Sequence, residues 1–160
     1  MKKSSLALLG LLLVLIVGLT AFFLTHQPQP SDTDQIRAQI DSATTAAGNR
    51  DAGGVVSILS SDYKDSMNTK QRLYAILLRA FHDAGPVVIS SSPPGIQLQG
   101  ETATSTSHLT LRGRDSGEVY YDKTVTLTWK REEGKRFFVI PVKVWRVVGA
   151  EYGASLTDGE

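Results

Sequence analysis

The 160-residue chain has no cysteine, three histidines and two tryptophans, and it carries no excess of either charge. Without thiols there is no disulfide, no thiolate metal site and no lipid-bearing cysteine. The domain must then hold together by its core alone. A formal net charge of +1 excludes the basic footprint of a nucleic-acid-binding protein, so no nucleic-acid partner is expected. Setting Lys2 and Lys3 aside leaves 15 basic against 16 acidic residues, and no polybasic cluster that would bind anionic lipid. No metal-ligand cluster, phosphate-binding glycine loop or nucleophile motif is present, so neither metal nor cofactor is expected.

What the sequence does have is a long apolar run. Residues 6–24, from Leu6 to Leu24, contain no charge, and Thr20 is their one polar residue. As a helix this run is about 28 Å long, close to the roughly 30 Å of a bilayer's hydrocarbon core. It lacks the polar face of a buried core helix. It is longer than the apolar region of a signal peptide and has no clean small-x-small cleavage site, although cleavage after Ala21 stays open. The expectation is an uncleaved single span. Lys2 and Lys3 precede it, and Arg37 is the next positive residue after it. Residues 1–5 are therefore expected in the cytoplasm and the carboxy-terminal domain outside it, in the cell membrane. Phe22 and Phe23 fall at the outer end. Residues 25–31, with two prolines, read as a short stiffened linker.

Past the linker the period is helical. Asp32 with Gln35 has capping-box spacing, and Ile36, Ile40, Ala43 and Ala47 form one stripe that Gly48-Asn49 ends. A short helix follows from Asp51, carrying Val55, Val56 and Leu59, with Gly53 and Gly54 weakening it. A third is capped by Asn68 and striped by Leu73, Ile76, Leu77 and Ala80, and Gly85-Pro86 stops it.

After Pro86 the period becomes 2. Val87–Ser91 reads as a strand, Pro93-Pro94 breaks it, and Ile96–Leu98 resumes it. Thr102–Arg112 alternates Ala103, Ser105, Ser107, Leu109 and Leu111 with Thr104, Thr106, His108 and Thr110. Val119–Arg131 sets Tyr121, Lys123, Val125, Leu127 and Trp129 against Thr124, Thr126 and Thr128. Residues 132–135 read as a hairpin turn, residues 137–148 as a last strand apolar on both faces, and residues 149–160 as a flexible tail. Helices followed by long antiparallel strands give an α+β fold, three helices on a curved sheet that makes a cone.

Residues 32–148 resemble the nuclear transport factor 2-like superfamily, which includes ketosteroid isomerase and polyketide-cyclase-like proteins. Residues 49–63, NRDAGGVVSILSSDY, resemble its second helix and following loop. Gly100-Glu101-Thr102-Ala103 resembles its G-D-x-A hairpin entry. Residues 133–140, EGKRFFVI, resemble its D-G-x-W-x-I final hairpin. These motifs are structural, so they imply the cone and not an activity.

Enzymes of that superfamily place a carboxylate, histidine or tyrosine inside the cone. Here His26 lies in the linker, His82 ends a helix beside Asp83, and His108 points away from the apolar face, so no catalytic residue is expected. Tyr63, Tyr74, Phe81, Tyr121, Lys123 and Trp129 are the candidate lining of a cavity. Each has a plainer reading as core, or for Lys123 as a side chain that snorkels to the rim. Two functions compete. One is a non-enzymatic, membrane-tethered domain that docks a second copy or an envelope protein through its sheet. The other is a protein or isomerase-like enzyme that holds a small apolar ligand in the cone.

Overall fold

The structure is a computed structural model that describes residues 30–66, 68–83, 85–136 and 140–153. The expected span, the linker up to residue 29, residues 137–139 of the expected last strand and residues 154–160 of the expected tail lie outside the described residues. Among those described, no helix is long and apolar enough to cross a membrane.

Helix α1, Asp32–Gly48, buries Ile36 and Ile40, one turn apart on the expected stripe, with Ala43 packed beside them. Asp32 also reaches across to the sheet. Its carboxylate accepts the indole N–H of Trp145 at 3.1 Å and pairs with Arg131. Helix α2, Ala52–Val56, starts where expected and is capped by Asp51, which accepts the N–H of Gly54 at 2.9 Å. Gly54 is needed here, because a Cβ at that position would come within 2.6 Å of Ala46 Cβ on α1.

Helix α3, Lys70–Asp83, starts after Thr69, whose hydroxyl accepts the N–H of Arg72; Asn68 instead donates its own N–H to Asp65. No residue of α3 is fully buried. Leu73 and Leu77 pack on the core, whereas Ile76 and Ala80, expected on the same stripe, are exposed. A 100° step per residue sets Ile76 and Ala80 on the flank of the line through Leu73, Leu77 and Phe81.

The sheet has five antiparallel strands: β1 Val87–Ser91, β2 Gly95–Gln99, β3 Thr102–Gly113, β4 Val119–Arg136 and β5 Ile140–Tyr152. β1 and β2 lie one after the other along the same edge of β3, the break falling at Pro93-Pro94. β3 pairs with β4 and β4 with β5. The β2–β3 turn uses Gly100 at φ +62°, a left-handed conformation suited to glycine.

Two boundaries differ from expectation. Residues 132–135 are not a turn: they continue β4, with Glu132 opposite Val144 and Gly134 opposite Val142. Gly134 works here as a close-packing residue, since a Cβ on it would stand 3.0 Å from a Val144 methyl. The tail does not begin at 149, because Gly149–Tyr152 pair with Val125–Thr128.

The inner face of the sheet carries Ala103, Ser105, Trp129, Trp145 and Val147. With Ile36, Ile40, Val56, Ile58, Leu59 and Tyr63 from the helices and loop, these form the core. Trp129 and Trp145 are both fully buried. The outer face is threonine-rich. Thr104 stands opposite Thr128 and Thr106 opposite Thr126, with a hydroxyl–hydroxyl bond of 3.2 Å between the last two.

Candidate functional site

The loop after α2 is tied to the sheet edge by a parallel bridge between Leu59 and Val147. That bridge carries the following residues inward. Tyr63 is 3% exposed, and its hydroxyl donates to Asp65 Oδ2 at 2.8 Å. Tyr152, at the end of β5, donates to the same oxygen at 3.3 Å. The other oxygen of Asp65 accepts the Asn68 N–H at 2.6 Å. A carboxylate 8% exposed is thus held by donors on every side, as burial of a charge requires. Burial, then the bond to Asp65, pushes the Tyr63 phenol far above its ordinary range. Burial likewise raises that of Tyr152. Both phenols stay protonated and serve as donors.

Tyr121, Lys123, Val125, Leu127 and Trp129 alternate along β4 without interruption, so all five face inward. Their partners on β3 are Leu111, Leu109, Ser107, Ser105 and Ala103. The lower half of this face is core: the indole of Trp129 donates to Ser105 at 2.8 Å beneath α1. The upper half is half-buried. There the hydroxyl of Tyr121 is shut off from solvent and has no hydrogen-bond partner among the described residues. Burial, and to a smaller extent Tyr152, raises its phenol above the ordinary value. Lys123, two residues on, forms no ion pair among the described residues.

An open groove of about 580 Å³ runs beside the end of β5, with Lys64, Ser66, Thr128 and Glu151 in its walls. It reaches Asp65 and Tyr152 from the sheet edge. Those two groups are already bonded to each other, so the groove floor has less to offer a ligand than the inner face.

Of the residues singled out from sequence, Tyr121 and Lys123 lie together on the half-buried inner face. Tyr63 belongs to the Asp65 network, and Trp129 is core. Tyr74 and Phe81 lie on α3, Tyr74 being 40% exposed and Phe81 half-buried. Asp65 and Tyr152 were not singled out from sequence. The one available signal for Asp65 was its spacing two residues after a buried tyrosine. Among the described residues no group of three potential metal ligands converges. His108 turns outward as expected, bonding Asp122 at 2.9 Å; Thr110 and His108 hold that carboxyl below its ordinary range.

Neither a protein-family model nor a curated protein sequence matches the chain. Solved structures do match in fold. An NTF2-like protein of unknown function from Pseudomonas putida superposes with a TM-score of 0.62 at 17% identity, covering 82% of this chain and 95% of that one. An NTF2-like protein with a cystatin-like fold from Novosphingobium aromaticivorans gives 0.60 at 21% identity, covering 81% and 84%. A putative calcium/calmodulin-dependent protein kinase type II association domain from Thiobacillus denitrificans gives 0.56 at 16%, covering 79% and 97%. The fold of residues 32–152 is therefore that of NTF2-like proteins.

Proposed function

We propose that this domain binds a small, largely apolar molecule on the upper inner face of its sheet. The observation that carries the reading is the Tyr121 hydroxyl, buried without a partner among the described residues. An unsatisfied buried hydroxyl costs about 1–3 kcal/mol, and phenylalanine would fill the same space without that cost. A ligand with a polar atom at one end satisfies it. Leu109, Leu111 and Val125 around it supply apolar contact, and Asp65 fixes Tyr63 and Tyr152 nearby through their hydroxyls. Helix α3 packs on the core through Leu73 and Leu77 but has no fully buried residue, which suits an element that shifts to admit a ligand.

Native mass spectrometry of the full chain, with melting curves against apolar alcohols and ketones, tests the reading. A co-purifying small molecule, or a rise in melting temperature that Tyr121→Phe abolishes, is expected. Absence of both would sink it.

The second reading, docking of another copy or an envelope protein, is expected through the sheet; exposed Tyr74, Ile76 and Leu78 offer α3 as a further apolar surface for it. In-membrane crosslinking from Leu78 separates the two, since a pure ligand-binding domain gives monomer only. In both readings residues 6–24 anchor the domain, outside the cytoplasm.

A further inference from the structure

We infer that the ligand of the inner face is an amphipathic carboxylate, an apolar ring or chain ending in a single anionic head. The inference rests on the binding reading above and adds the chemical class.

The argument starts from the charges that face inward. Lys123 sits between Tyr121 and Val125 on β4, opposite Leu109, and is half-buried on the apolar side of the strand. The outward-facing neighbours on β4, Asp122 and Thr124, are the polar ones. Asp122 is taken up on the outer face by Thr110 and His108, at 2.7 and 2.9 Å. Asp65, the buried carboxylate, has its oxygens occupied by Tyr63, Tyr152 and Asn68. Glu101 is bound to Lys143 at 3.1 Å, beyond the core tryptophans. Among the described residues the inward Lys123 ammonium thus has no carboxylate paired to it.

Two residues along the same face is the phenol of Tyr121, a donor without an acceptor among the described residues. Side chains at i and i+2 of a strand point the same way, with their Cα atoms about 6–7 Å apart. A long lysine and a tyrosine can close on one head group from that spacing. A carboxylate fits both vacancies, because one oxygen accepts from the phenol while the other faces the ammonium. A neutral carbonyl answers only the first. Leu109, Leu111 and Ile89, the last opposite Leu111 on β1, give the tail an apolar wall.

The test uses the full chain in detergent micelles with two matched probes, 4-phenylbutanoate and its neutral amide, their affinities measured by calorimetry at pH 7. The carboxylate is expected to bind about tenfold more tightly. Lys123→Met should bring the two affinities together while leaving the amide unchanged, which also shows that the variant is folded. Lys123→Arg should keep the preference, and Tyr121→Phe should weaken both probes. Equal affinities in the parent chain, or a preference that survives Lys123→Met, would overturn the carboxylate class and leave the binding site standing. If neither probe binds, the binding reading fails with it.

Discussion

Tyr63 and Tyr121 are the same residue type in two different situations. Each places a phenol in the interior, but one hydroxyl has a carboxylate to bond and the other has no partner among the described residues. Tyr63→Phe removes a hydrogen bond to a charged acceptor and should cost about 1–3 kcal/mol in urea unfolding. Tyr121→Phe should be neutral or stabilise the ligand-free protein by up to about 1 kcal/mol, since it removes an unsatisfied group. A loss of stability like that of Tyr63→Phe would show that Tyr121 has a structural partner. Asp32 makes the corresponding case in charge. The N–H of Trp145, with Arg131 beside it, holds its carboxyl below the ordinary value of 3.8, against some desolvation. A depressed folded value means that the unfolded chain binds the proton first. The stabilisation is therefore complete above about pH 3.8 and is lost as pH falls through the folded value. Asp32→Asn should lower stability at pH 7 by about 1 kcal/mol, its side chain being one-third exposed, and should flatten that part of the acid limb. Parallel acid-unfolding curves for the two proteins would refute this.

At the scale of the element, the contact between α1 and α2 depends on one missing methyl group. Gly54→Ala would drive a Cβ to 2.6 Å from Ala46 and 2.5 Å from the capping Asp51. The two helices must separate, so we expect a loss of about 1–3 kcal/mol by chemical denaturation, despite alanine's better helix propensity. A stabilised Gly54→Ala would mean that the helices yield freely. From sequence alone Gly54 reads as a defect of α2, because propensity is local and the neighbour that needs the space is eight residues back. The same limit explains the final hairpin. Glu-Glu-Gly-Lys has turn chemistry, but Gly134 is there to receive Val144 from the adjoining strand. Elements whose pattern is carried by their own periodicity were legible: the Ile36–Ile40 stripe, the β1–β2 break at paired prolines, and the alternation that sets Tyr121 and Lys123 inward. Asp65 was not legible, because a loop has no period. Its burial follows from the bridge between Leu59 and Val147, nearly ninety residues apart in sequence.

For the molecule as a whole, the contrast is between an apolar run at one end of the chain and a domain whose outer sheet face is rich in threonine. We propose that attachment rests on residues 6–24, the charge-free apolar run, rather than on the threonine-rich outer face of the sheet. We predict that the 160-residue protein stays with the membrane after an alkaline carbonate wash, and that detergent alone releases it. Protease added to right-side-out vesicles should digest the domain, and inside-out vesicles should protect it, as the two lysines before the run require. Release by carbonate would mean that the run is removed or buried elsewhere, and the reverse protection pattern would put the domain in the cytoplasm. The anchor also bears on the ligand. Amphipathic carboxylates partition to the water–lipid boundary, so under the proposed anchoring the site would meet a higher local concentration of them, without any change in its contacts. A variant lacking residues 6–24 should therefore keep its affinity for 4-phenylbutanoate in solution yet capture less of a membrane-partitioned carboxylate from vesicles. Equal capture by both would separate the anchor from the binding function and leave it as a localisation signal alone.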